Sequence, residues 1–219
     1  FAIPVGAITG SNGKTTTKEM VASILETRGP VLKTAGNLNN EVGLPLTLLG
    51  LDRSHWSGVL EMGMNHAGEI ARLCAIAEPQ IGLVTNAGPA HLAHFADVEA
   101  VADAKAELYQ GLPPGGVAVA NADDARMLRR AQASGRRLLT FAVGRGRRGD
   151  VVALELLQHP PDGMRFLLGI VEGVAEFLGF LGMAWIRSGH VSVQVRKRRG
   201  RAATSARTTS GLRRLRGAR

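Results

Sequence analysis

Thr9-Gly10-Ser11-Asn12-Gly13-Lys14-Thr15-Thr16 carries the strongest chemical signal in the sequence. Glycines let a backbone wrap closely around phosphate oxygens, and a helix starting just after them offers free N–H groups and its positive dipole end. Lys14 can neutralise outer phosphates, and the Thr15 hydroxyl can ligate Mg²⁺. Gly10, Ser11, Asn12, Gly13, Lys14, Thr15 and Thr16 are therefore candidate nucleotide-binding residues. The spacing is a short G-x-x-G-K-T, since the usual phosphate loop has a glycine where Ile8 stands. A tight strand-to-helix turn with an exposed lysine is the plainer account. It leaves unexplained why strand, turn, Gly-Lys-Thr and helix agree.

Four polar clusters each follow an apolar, strand-like run: Gly36 to Glu41, Glu61 to His66, Asn86 to His91, and Asn121 to Asp124. Asn, Asp and Gly favour turns, so any one of them has a structural reading. For Asn121–Asp124 that reading leads, with Asp123 or Asp124 capping a helix. Glu61, an acid ending an apolar strand, makes better sense as a metal ligand. His91 is a candidate for the site, whereas His94 reads as background. Lys105 falls on the apolar helical stripe of Val98, Val101, Ala102, Leu108 and Tyr109. Spacing leaves two accounts open: a lysine facing the sheet, costly to keep charged, or one reaching the rim or a carboxylate.

These residues need a scaffold that brings them together. Strands are predicted at Val5–Thr9, Val31–Thr34, Gly58–Glu61, Ile81–Thr85, Val117–Ala120 and Leu138–Val143. Helical spacing joins Thr17, Met20, Val21, Ile24, Leu25 and Arg28, and again Ile70, Leu73, Cys74 and Ala77. Such alternation implies an α/β fold, a mostly parallel sheet with helices on both faces. The carboxyl ends of its strands share one edge, where ligands bind. Val151–Leu157 and Met164–Leu168, across Pro160-Pro161-Asp162-Gly163, read as an antiparallel hairpin at the sheet's edge. One domain is expected over residues 1–170. Residues 171–219 read as an irregular basic tail, disordered where apolar periodicity is lost.

From Arg187 to Arg219 there are eleven Lys or Arg and no acid, so the net charge of +9 belongs to the tail. The remainder carries 16 basic and 18 acidic residues. The single cysteine, Cys74, excludes an internal disulfide and suits a reducing compartment. No signal-peptide pattern is visible, and the most apolar run, Phe177–Ile186, is shorter than the ~20 residues of a membrane span. A cytoplasmic monomer is expected.

Taken together, the motifs resemble the Mur ligase family over about residues 5 to 168. Thr9–Thr16 matches its phosphate loop. Ala35-Gly36-Asn37-Leu38-Asn39-Asn40-Glu41-Val42-Gly43-Leu44-Pro45, Glu61-Met62-Gly63, Gly68-Glu69-Ile70, Asn86-Ala87-Gly88-Pro89-Ala90-His91-Leu92 and Ala104-Lys105-Ala106-Glu107 continue the match. They look most like the members that add D-alanyl-D-alanine to UDP-N-acetylmuramoyl-tripeptide. The resemblance implies ATP and Mg²⁺ as cofactors, and an acyl phosphate attacked by the dipeptide's amine. It also implies that Lys14 holds the β/γ-phosphates, Thr15 and Glu61 bind one Mg²⁺, and His91 sits near a second metal. Lys105 resembles the family's carbamylated, metal-associated lysine. Asn86 resembles a nucleotide contact, and Asn37 and Asn40 substrate contacts.

Two departures from the family pattern accompany these matches. Its N-terminal uridine-binding and C-terminal domains have no counterpart in the sequence, and its G-R-H-N-x-x-N-x-x-A-A segment does not follow Leu168. A break in the reading frame between Leu168 and Glu176, and an inactive fragment, are the expectation. Competing readings are another amino-acid-adding ligase of folylpolyglutamate synthetase type, and a nonenzymatic protein binding through its basic tail. Specific nucleic-acid binding is not expected, because only Trp185 lies near the tail for stacking.

Overall fold

The structure, a computed structural model, describes residues 1–89, 94–143, 149–159, 163–170, 191–198 and 201–206, the last four stretches containing strands described by backbone alone. Strand and helix alternate as β1 (Val5–Thr9), α1 (Lys14–Leu25), β2 (Val31–Lys33), α2 (Gly43–Leu49), β3 (Ser57–Glu61), α3 (Glu69–Ala77), β4 (Ile81–Val84), α4 (Val98–Gln110), β5 (Val117–Asn121), α5 (Ala125–Ala133) and β6 (Arg137–Val143). Strands β7 (Val151–His159), β8 (Gly163–Ile170), β9 (Val191–Arg198) and β10 (Arg201–Ala206) follow. They form one sheet in the order β10-β9-β8-β7-β6-β5-β4-β1-β3-β2. Strands β2 through β7 in that order, β1 included, run parallel. A parallel neighbour cannot be reached by a tight turn, so helices carry the crossovers from β1 through β6. Strand β1 lies between β3 and β4, with Ile8 opposite Glu61 and Thr9 opposite Val84. The phosphate loop, Glu61 and the Asn86 loop therefore leave the sheet side by side.

Successive strand residues point to opposite faces, and the two faces differ. Ala7, Leu60 and Val84 join the larger core, with Leu44 of α2, Ile70 and Leu73 of α3, Leu108 and Tyr109 of α4, and Met127 of α5. Ile8 and Val59 point the other way, against Ala22 of α1. Helix α1 turns inward a side rotated from its predicted apolar stripe, keeping Val21 and Leu25 of that stripe against the core. Lys18, Ala22 and Ser23 are its buried residues, while Met20 and Ile24 are only partly covered. The reason is electrostatic: Lys18 finds partners at the end of the sheet.

Within the tail, residues 191–198 and 201–206 are strands, which corrects the expectation of disorder for those two stretches. Strand β9 pairs antiparallel with β8, and β10 with β9. Val191, Val193 and Val195 alternate with polar residues, a period-two pattern of β-branched side chains that the charge count obscured. The hairpin β7–β8 forms as predicted, but β9 and β10 lie beyond it, so it is not the edge. Pro160-Pro161-Asp162 and Phe177–Ile186 fall outside the described residues, among which no helix is long and apolar enough to cross a membrane.

Candidate functional site

The phosphate loop is fastened to the residues after β4. Gly10 has a φ of 148°, and a Cβ there would sit 1.8 Å from the Thr85 hydroxyl, so only glycine fits. The Ser11 amide donates to the Asn86 carbonyl (3.0 Å), and the Ser11 hydroxyl and Gly88 exchange hydrogen bonds (2.9 and 3.1 Å). The Asn86 carboxamide accepts from the Asn12 amide (3.1 Å) and donates to its carbonyl (3.2 Å). Thr85 adds a third bond, to the Asn12 carbonyl at 2.7 Å. Gly13, with φ of 82°, turns the chain into α1, which begins without a side-chain cap or an acid in its first turn. That end of the helix keeps its attraction for an anion. Lys14 lies back over the loop, donating to the Gly10 carbonyl at 2.9 Å, with Thr15 and Thr16 exposed beside it.

Glu61 ends β3 and is 2% exposed. Its Oε1 accepts from the Asn39 carboxamide at 2.9 Å, whereas its buried Oε2 has no hydrogen bond. The nearest cation is Lys18, whose Nζ stands 3.9 Å from Oε2. A buried carboxylate oxygen left without a donor is suited to a hard cation, which takes oxygen ligands and needs no hydrogen. Thr15 lies three residues before Lys18, so helical spacing puts its hydroxyl on the same side of α1. Glu61 and Thr15 therefore fit Mg²⁺ by donor type.

Lys105 is buried against the sheet, which decides between the two accounts of it. Burial, with the like charge of Lys14, pushes its ammonium down to about 8. Among the described residues no carboxylate pairs with it. Its helix is held by Glu107, which accepts from the amides of Gly68 (2.7 Å) and Ala71 (3.0 Å) at the start of α3. His91 lies outside the described residues. His94 is exposed and packs its ring on His66, 4.6 Å between centroids.

The remaining candidates divide. Asn40 is committed to structure, its carboxamide oxygen accepting from Val42 (3.1 Å) and Gly43 (2.8 Å) at the start of α2. Asn37 is exposed. Asn121 donates to the Thr85 carbonyl (3.1 Å), and Asp124 caps α5 while accepting from the Ala87 amide (2.8 Å). This cluster thus braces the loop after β4, as its turn chemistry suggested. Sequence reasoning passed over Asn39, Lys18 and Thr34. Lys18 stands one turn after Lys14, which places it on the loop's side of α1, but nothing in that spacing names the partners that bury it.

Comparison with known proteins agrees with this architecture. Residues 8–186 match the model of the Mur ligase middle domain, a match running past the 168–176 window where the motifs suggested a break. The chain is 47% identical over 132 residues to a UDP-N-acetylmuramoyl-tripeptide--D-alanyl-D-alanine ligase of Synechocystis sp., covering 60% of this chain and 29% of that one. It resembles the crystal structure of MurF from Acinetobacter baumannii with a TM-score of 0.72 and 36% identity, over 89% of this chain and 38% of the other. It likewise resembles MurF from Thermotoga maritima in complex with ADP (TM-score 0.70, 33% identity, 78% and 39% covered). The chain thus spans less than two fifths of each of these relatives. Loop, sheet order and sequence converge, and the chain belongs to the Mur ligase family, with its middle domain over residues 8–186.

Proposed function

We propose that this chain is the ATP-binding part of a ligase of peptidoglycan precursor synthesis that joins D-alanyl-D-alanine to UDP-N-acetylmuramoyl-tripeptide. The observation that carries the reading is the pairing of an uncapped, glycine-turned helix start with the unbonded Oε2 of Glu61. In the reaction, the γ-phosphoryl group passes to the tripeptide's terminal carboxylate, and ADP leaves. The amine of the dipeptide then attacks the carbonyl carbon, and phosphate is expelled as the amide forms. Mg²⁺, when bound, neutralises phosphate charge. The chain's residues contribute position and charge, the usual means of catalysing phosphoryl transfer. The loop amides and Lys14 cradle the β/γ-phosphates, and Thr15 and Glu61 hold the metal. Lys105, converted by CO₂ to a carbamate, supplies a second anion facing Lys14, and it and His91 are assigned to the second metal. Asn86 acts through Asn12, fixing the loop. Asn37 contacts the substrate; Asn40 has only its NH₂ group free to do so. The setting is the cytoplasm, and the protein acts as a monomer.

The test is Lys14→Ala in the 219-residue chain. Loss of a charge-assisted phosphate contact should weaken ATP binding by about 1.5–3 kcal/mol, measured by calorimetry. Unchanged affinity would overturn the assignment of the loop.

A further inference from the structure

Lys18 has no place in the reading above, yet it is among the most buried charges of the described residues, 1% exposed. Its Nζ donates to the Thr34 carbonyl at 2.7 Å and lies 3.0 Å from Glu19 Oε1 and 3.9 Å from Glu61 Oε2. Thr34 is held at its other end, its hydroxyl accepting from the Glu61 amide at 2.9 Å. Helix α1, the end of β2 and the end of β3 are thus joined through one ammonium. Glu19 is itself shared with Lys33 (3.0 Å), which also reaches Glu26 (3.2 Å).

We infer that Lys18 is a positioning residue for the metal site, acting through the Glu61 carboxylate. The inference rests on the nucleotide and metal reading above. Asn39 fixes one oxygen of Glu61 by a hydrogen bond. Lys18 attracts the other from 3.9 Å, beyond hydrogen-bond reach, so it sets the carboxylate's rotation without occupying the oxygen's lone pairs. A donor at hydrogen-bond distance would block the ligand, and no cation at all would leave the carboxylate free to turn. The 2.7 Å bond to the Thr34 carbonyl holds the ammonium at that distance. The same ammonium repels a second cation, but a metal in direct contact with the carboxylate at ~2 Å outweighs a charge about twice as far away.

The experiment compares ATP binding with and without Mn²⁺ by calorimetry, in the wild-type chain and in Lys18→Met. Metal-free ATP affinity should stay within about twofold, while the tightening by Mn²⁺ should shrink at least about tenfold, the usual consequence of losing a residue that orients a ligand. Mn²⁺ tightening equal to wild type overturns the inference. So does an equal loss with and without Mn²⁺, because disturbing α1 alone would damage the phosphate loop in both conditions. Should Lys18→Met fail to fold, Lys18→Arg decides: it retains the cation and should keep the Mn²⁺ effect within about threefold. A folded Lys18→Arg chain that binds metal-free ATP but has lost the Mn²⁺ effect overturns the inference. A wild-type chain that binds ATP in neither condition is a separate failure, which removes the nucleotide reading and this inference with it.

Discussion

At the scale of single residues, the site is built on two buried lysines of opposite legibility. Lys105 feels the like charge of Lys14 and has no paired carboxylate among the described residues, and burial first, then that charge, pushes its ammonium from 10.5 to about 8. Below pH 8 the folded chain must keep a charge it disfavours, at a cost of about 3 kcal/mol. Between pH 8 and 10.5 the unfolded chain binds more protons than the folded one, so this contribution to stability rises with pH. Lys105→Met should therefore be more stable than wild type at pH 7 in CO₂-depleted buffer, and the difference should fade toward pH 10.5. Urea titrations across that range measure it; a variant less stable at pH 7 would contradict the burial argument. With ¹³C-bicarbonate, wild type should show a carbamate carbon signal that Lys105→Met lacks. Lys105 could be picked out from sequence because its stripe is otherwise apolar. Lys18 could not: its partners Thr34 and Glu61 lie 16 and 43 positions on, and its own helix shows a competing apolar stripe at Met20, Val21 and Ile24.

Elements depend on one another at their ends. Helix α3 starts at Gly68 with no side-chain cap from its own residues, and its free amides are taken by Glu107 of α4. The same carboxylate thereby fixes the height of α4, and with it Lys105, two residues away. Glu107→Ala should lower stability by about 1–2 kcal/mol in chemical denaturation, the range for losing a charged helix cap. No change would mean that water replaces the carboxylate at no cost. Elements whose apolar spacing is regular were readable in advance: β1 has the predicted bounds, and β2 through β6 end within a residue of expectation. Helix α2 was not anticipated, since Gly43 and Pro45 stand in its seven residues and its start relies on Asn40. The strands of the tail were missed for a different reason. Charge dominated the composition there, while pairing depends on alternation.

The whole molecule is unevenly supported, and the uneven side is the one that holds the loop. Among the described residues, 23 buried hydrophobics form the core under α2, α3, α4 and α5, against three, Ile8, Ala22 and Val59, under α1. Helix α1 is anchored by Lys18 and by partly buried Val21 and Leu25, so much of its hold is polar. Segments with few buried apolar contacts open locally at lower free energy than the global transition. Helix α1 should therefore open on its own while α4, with Tyr109 and Leu108 fully buried, opens only when the chain unfolds. Hydrogen exchange followed by mass spectrometry should show peptides over residues 14–25 exchanging at least about tenfold faster than those over 98–110. A ligand that binds only the closed helix start stabilises it by mass action. ATP with Mg²⁺ should thus slow exchange in 14–25 strongly and in 98–110 little. Equal exchange in the two segments would show that the polar anchor at Lys18 holds α1 as firmly as the large core holds α4. Equal protection by ATP would mean that the loop and the large core open together, and that the site is as rigid as the sheet beneath it.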